Sequence, residues 1–384
     1  MKIIKSKISK DVIKDVIKDT TKDVTKDVTK DVIKESVCIS KYEDYQKRGL
    51  VFPTGLHEFD WRITGIGGFP GKRISCVAGA WSAGKTSLAL AAAKKCLDRG
   101  GIAIFVDAEA VIDDFTIEYI DGFGFIKDSL KIVSDEDISV TGKKVSFSIE
   151  QSIMYVLKPY CIEEAFDKCE LLIKTIREIY ADIPIIMVYD SMVGLPARQE
   201  CTKDYIDTTQ RALVAAAYST CFRRYTAFGA KYNVCSIFTN QLRDDPSGFS
   251  MGDTQYMPGG KAIEFYCSLL VRLNKVMDDK KGKILEADSR IKTSIMLKKT
   301  KIKPVPIGTK IFCFYTVGKG FDFVMDLITY LIKIEKIIVR GGWFTIEGKE
   351  QNIQGYDNLV KYCIEEDNYN ELQQIVVKHI EEYN

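Results

Sequence analysis

Between positions 79 and 87 the chain reads GAWSAGKTS. Gly79 and Gly84 bracket a short run that is followed at once by Lys85 and Thr86, the spacing of a loop that wraps phosphates with its own N–H groups. A lysine at that place neutralises the terminal phosphates of a nucleoside triphosphate. The threonine hydroxyl reaches Mg²⁺, and the following helix turns its positive end toward the anion. ATP and Mg²⁺ are therefore the expected cofactors, with Gly79, Ser82, Ala83, Gly84, Lys85, Thr86 and Ser87 as the cradle. The ion needs a second anchor. Asp190 ends the apolar run Ile185 to Tyr189; an acid there serves either as a helix cap or as a metal ligand, and the phosphate loop favours the metal. Hydrolysis also needs a group that orients or deprotonates water. Glu109, in VDAEA just past a neighbouring apolar run, is placed to face the terminal phosphate without touching the ion.

Such groups need a scaffold that brings strand ends side by side. Ile74 to Ala78 reads as a strand running into the loop, and SLALAAAKKCLDRGG after it as a helix with a Gly-Gly stop. Ile102 to Val106 is a buried strand. A helical stretch around Tyr160 to Tyr180 leads through Pro184 to the strand Ile185 to Tyr189, and NVCSIFTNQ repeats the pattern at 233 to 241. SLLVRL and TSIMLKK follow from 268 and 293. Strands alternating with helices predict an α/β fold with a mainly parallel central sheet flanked by helices, its chemistry at the strands' carboxyl ends. The glycines at 65, 67, 68 and 71 imitate a dinucleotide fingerprint but precede their strand, so they read as a turn.

The chain has 384 residues, 46% of them hydrophobic, enough to bury at least one full core. Its 55 basic and 53 acidic residues leave a formal charge of +2, so contact with nucleic acid or membrane has to be local. No apolar run approaches the roughly 18 residues that span a bilayer, and no membrane partner is expected. The 11 cysteines form no C-x-x-C pair and read as reduced, mostly buried thiols. Residues 10 to 34 repeat KDVI, KDVT or KDTT with a four-residue period that drifts around a helix. The organisation expected is a low-complexity, disordered arm over 1–36, a nucleotide-binding core over 37–318 and a small C-terminal α/β domain over 319–384. In that last part the aromatics of GGWF read as core packing, and Lys333, Lys336 and Arg340 are cations whose contribution to capture of a duplex is a hypothesis.

The phosphate loop, DAEA, VYDS, TNQLR, PGGKAIEFYCS, KKTKI and KGFDF, in this order from about position 53 to near the end, resemble the RecA family of strand-exchange recombinases, with the bacterial RecA and phage UvsX group nearest in feel. The resemblance implies a RecA-like ATPase core and a DNA-dependent ATPase that forms helical filaments on single-stranded DNA and pairs that strand with homologous duplex. Cytoplasmic location, in a bacterium or a phage-infected cell, and contact with single-strand-binding and loading proteins are implied too. Carried onto this chain, it implies Glu109 as base, Thr86 and Asp190 at magnesium and Asp113 near the adenine. Gln241 becomes the sensor of the terminal phosphate, and Lys299 and Lys301 reach a neighbouring subunit's ATP. Two loops, about 194–206 and 243–263, are expected to face DNA, with Arg198, Lys203, Arg243 and Lys261 supplying charge. Phe249 or Met251, or Tyr256, would wedge between bases, and Gly259 and Gly260 would bring backbone N–H groups close. Trp81 and Ala83 depart from the family's loop. A hexameric helicase or motor, or a non-catalytic paralogue that modulates a recombinase, shares the phosphate loop and stands as the alternative.

Overall fold

Six-residue apolar runs without polar alternation have no wet face, and here they become strands covered on both sides. The computed structural model describes residues 49–112, 129–202, 211–244, 255–276, 290–316, 319–349 and 352–382; the repeat arm, Asp113, Lys203, Phe249 and Met251 lie outside them. In chain order the elements begin with β1 (Val51–Phe52), a π-helical turn (Glu58–Ile63), β2 (Phe69–Pro70), β3 (Ile74–Gly79), α1 (Lys85–Leu97) and β4 (Ile102–Asp107). Then come β5 (Leu130–Val133), β6 (Ile138–Ser139), β7 (Lys144–Val145), β8 (Met154–Leu157), α2 (Ile162–Ile179), β9 (Ile185–Asp190), α3 (Arg211–Lys231) and β10 (Val234–Gln241). The short pair β11 (Arg243–Asp244) and β12 (Gln255–Tyr256) leads to α4 (Ala262–Tyr266), β13 (Leu269–Lys275), β14 (Arg290–Thr300), β15 (Lys310–Thr316) and β16 (Gly320–Phe321). The chain continues through α5 (Phe323–Lys333), β17 (Ile337–Arg340), β18 (Trp343–Ile346), β19 (Asn352–Gln354), α6 (Tyr356–Ile364) and α7 (Glu366–Glu382).

The described residues form two units, one of 49–55 and 59–321, the other of 56–58 and 322–382. In the larger, ten strands make one sheet in the order β16-β15-β14-β13-β3-β10-β9-β4-β8-β5. From β13 to β5 every neighbour is parallel, while β14, β15 and β16 are antiparallel. This is the α/β fold with a mainly parallel sheet that the alternation of strands and helices predicts. All residues of β3 and β4 are buried, as expected of central strands sandwiched by helices. Registers matter most for function: Gly79 lies opposite Gln241, and Asp107 opposite Asp190, so the carboxyl ends of four strands finish level. The core beneath them is aromatic. Phe166, Tyr189, Tyr218, Phe222, Tyr225 and Phe238 pack ring against ring between the sheet, α2 and α3. The edge strand β5 and the β6–β7 hairpin are additions that apolar runs did not announce, because LKIV alternates and is only half covered.

The smaller unit is an antiparallel meander, β17-β18-β19, with α5, α6 and α7. Asp322 starts α5 by accepting the Met325 N–H at 3.0 Å. Its core takes Leu327, Ile328, Leu331, Ile337, Phe344, Tyr356, Leu359 and Leu372. Of the GGWF aromatics only Phe344 packs inward, against Tyr356 at 6.0 Å; Trp343 points the other way and is 44% exposed, as strand alternation requires. Lys333 also bears on the hypothesis of duplex capture. Its ammonium binds the buried Glu58 carboxylate at 2.7 Å, and Lys336 binds Glu347, which leaves Arg340 as the exposed cation of the three.

Candidate nucleotide-binding and catalytic site

The phosphate loop is braced from below before anything binds to it. Tyr315 Oη, on β15, donates to the Ser82 carbonyl at 2.6 Å, and Thr293 Oγ1, on β14, donates to the Ala83 carbonyl at 3.3 Å. The Leu242 N–H, just past β10, donates to the Gly79 carbonyl at 3.1 Å. With the carbonyls tied down, the N–H groups are left for the other side. Ser82 at φ 50° and Gly84 at φ 89° both adopt the left-handed conformation, the alternation that folds successive N–H groups into an anion-binding hollow. A Cβ at Gly84 would lie 3.2 Å from the Phe321 ring, so space and φ both ask for glycine. No side chain caps α1, whose first N–H groups open onto the same hollow. Lys85 is buried and folds back so that Nζ donates to the Ala80 carbonyl at 2.9 Å. Burial pulls its pKa down, partly offset by the charges of Asp190 and Glu109. A polyphosphate fits this cradle: it would take the free N–H groups and set negative charge against the Lys85 ammonium, opposing the effect of burial.

Next to the loop, two carboxylates stand in series, each held by two donors from different elements. Asp190 Oδ2 accepts Thr86 Oγ1 at 2.6 Å, and Oδ1 accepts Thr239 Oγ1. Burial raises the Asp190 pKa, and the two hydroxyls act against that rise. Thr86 and Asp190, already touching, are the pair that would hold Mg²⁺. Glu109 Oε1 accepts Ser191 Oγ at 2.5 Å and Gln241 Nε2 at 2.9 Å. The turn that carries Glu109 is shaped by Asp107, whose oxygens accept the Val111 and Ile112 N–H groups at 3.1 and 2.9 Å. It is pressed from behind by Gly194: a Cβ there would lie 2.4 Å from the Ala108 carbonyl oxygen.

The structure thus gathers Lys85, Thr86, Glu109, Asp190 and Gln241. Lys299 and Lys301 do not join them within one chain; both ammonium groups cap carbonyls at the end of α4, on Glu264 and Phe265. Arg198 is engaged with Asp167 at 3.3 Å, and Arg243 and Lys261 are exposed. Three participants were missed from sequence: Ser191, Thr239 and Asp107. Alternation was the available signal for one of them, because Thr239 and Gln241 share a face of β10. Trp81 is 77% exposed at the loop's crest, with the Lys275 ammonium 5.6 Å from its ring.

A level row of strand ends, a phosphate loop and paired carboxylates define a P-loop nucleotide-binding protein. The family model described as RecA N-terminal domain matches residues 17–144 and 137–318, and the chain belongs to the RecA family, whose core is that of a P-loop ATPase. Protein RecA of Thermus aquaticus is 29% identical over 315 residues, covering 82% of this chain and 81% of that one. Protein RecA of Thermus thermophilus is 31% identical over 307 residues, 78% of each. The crystal structure of the RadB recombinase aligns with a TM-score of 0.44 and 18% identity over 70% of this chain and 98% of its own. Among the described residues no helix is long and apolar enough to cross a membrane.

Proposed function

We propose that the protein is a DNA-dependent ATPase and recombinase of the cytoplasm. It assembles as a helical filament on single-stranded DNA with ATP and Mg²⁺ and pairs that strand with homologous duplex. The observation that carries the reading is the shared oxygen of Glu109: Gln241, which ends β10 in the cleft, touches the expected base and leads within two residues into the segment 243–263. When bound, Mg²⁺ supplies charge neutralisation for the phosphates. Thr86 and Asp190 would hold the ion, the loop N–H groups and Lys85 the phosphates, and residues near Asp113 the base. Glu109, oriented by Ser191, takes the proton of the attacking water at its carboxylate. Gln241 leaves Glu109 to donate to the terminal phosphate, and that exchange repositions the segment after it.

On the DNA side, Arg198, Lys203, Arg243 and Lys261 supply charge, Gly259 and Gly260 close backbone approach, and Phe249 and Met251 wedges. Lys299 and Lys301 reach a neighbour's nucleotide once subunits stack. Loading and single-strand-binding proteins are the expected partners. Strand exchange between a single strand and a homologous duplex tests the proposal. Wild type with ATP should yield product and Lys85→Ala none, whereas product from both or from neither would refute it.

A further inference from the structure

We propose that Asn240 is the positioning residue that ties the nucleotide cleft to the return arm of the 243–263 segment. The inference rests on reading the cleft as the ATP site and that segment as the one facing DNA. Along β10 side chains alternate. Thr239 and Gln241 turn to one side and bind the two carboxylates, Asp190 and Glu109. Asn240 turns to the other side, is completely buried, and its Nδ2 donates to the Pro258 carbonyl at 2.9 Å. Adjacent residues of one strand thus hold the expected base and the return arm, so a shift of the strand end that frees Gln241 also displaces Asn240.

The arm is built to respond at that point. It is secured upstream by Arg272 Nη2 on Gln255 Oε1 at 2.5 Å and by the pairing of Arg243 with Tyr256. Immediately after Pro258 come Gly259 at φ 89° and Gly260 at φ 79°, two left-handed glycines in succession, where the chain turns with little steric resistance. Side chains would be crowded there: a Cβ on Gly260 would lie 3.0 Å from the Ala215 Cβ, and one on Gly259 would meet Met192 and Tyr218 at 3.4 Å. Asn240 has hydrogen-bonding capacity that this arrangement leaves unused. Its Oδ1 is buried and accepts no hydrogen bond from any described residue. A buried acceptor left in this state carries a cost, and here it sits at the junction of the cleft and the arm.

The test uses the full chain, a slowly hydrolysed ATP analogue with Mg²⁺, and brief tryptic digestion read by mass spectrometry at Arg243 and Lys261, both exposed and lying near the two ends of the segment. In wild type the analogue should change cleavage at these two sites by about fivefold or more, the lower range of a coupling between sites. Asn240→Leu keeps the volume and removes both the donor and the unpartnered acceptor. It should bind the analogue with wild-type affinity and melt no lower than wild type, yet lose the change in cleavage; Asn240→Gln, with its carboxamide, should recover part of it. The proposal is overturned if Asn240→Leu responds like wild type, if it melts lower or loses nucleotide affinity, if Asn240→Gln recovers nothing, or if wild type itself shows no response. Single-strand binding by the same samples is scored separately: a wild type that responds to nucleotide but ignores DNA would uphold the tie and refute the DNA reading.

Discussion

In the nucleotide cleft and in the C-terminal unit the chain sets carboxylates near a lysine, but only the C-terminal unit buries them fully, and the two regions are finished differently. In the C-terminal unit Lys333 closes onto Glu58 at 2.7 Å, and Asp326 accepts the His57 N–H at 2.5 Å while facing the His57 ring. Charge there is spent inside the fold. In the cleft, Lys85 closes no ion pair among the described residues and sits on a carbonyl, while burial lowers its pKa and raises that of Asp190. Two neighbouring carboxylates are steadied by hydroxyls and an amide, groups that orient a charge without neutralising it. A buried lysine beside oriented carboxylates, none of them neutralised by an ion pair among the described residues, marks the region where a charged ligand and its cation belong.

The comparison breaks most sharply at the base. Glu109→Gln should lower kcat for ATP by about 10²- to 10⁴-fold with nucleotide affinity retained, as steady-state kinetics and a binding titration would report; a small drop would return Glu109 to a structural role. Next in size is the buried pair of the other region. Lys333→Met removes the ammonium that pairs with the buried Glu58 carboxylate and should cost about 3–5 kcal/mol in urea unfolding while leaving nucleotide affinity alone. Lys85→Met, by contrast, should cost no stability, because the folded environment already disfavours that charge; a loss equal to that of Lys333→Met would erase the distinction. Phe344→Ala should destabilise by about 3–5 kcal/mol and Trp343→Ala by about 1 kcal/mol, since only the former leaves a core cavity.

The smallest effect is set by pH. Burial pushes the Cys96 and Cys363 thiols up to about 12, from 9.0 in an unfolded chain. The folded state keeps these protons where the unfolded state gives them up. Their stabilisation is therefore fully present below pH 9 and declines as pH rises through the window toward 12. Urea midpoints taken at rising pH should fall, and replacing either cysteine with alanine should flatten the slope.

How much was legible in sequence follows from how local each signal is. The phosphate loop, its strand and its helix lie within one continuous stretch, so spacing alone located Lys85 and Thr86. Asp190 and Glu109 were legible as acids ending apolar runs. Ser191 and Thr239 were not, because their partners are set by strand register: Ser191 meets Glu109 from 82 positions away, and Thr239 meets Asp190 from 49. Asp107 was missed although its partners, the Val111 and Ile112 N–H groups, lie only four and five residues on, because an acid at a strand end looks the same whether or not it shapes the following turn. The same blindness misread Lys333, whose carboxylate lies 275 positions upstream. Trp343 was misread for another reason: composition groups it with Phe344, and only the alternation of β18 separates an inward ring from an outward one. The strand β5 was missed because its four residues alternate too briefly to stand out.

The most direct test is the affinity of the full-length protein for a fluorescent single-stranded oligonucleotide at fixed salt, measured with and without a triphosphate analogue and Mg²⁺. A nucleotide-gated grip predicts binding about tenfold or more tighter with the analogue, a gain absent in Lys85→Ala. Equal affinity in both conditions would contradict the coupling of cleft to DNA.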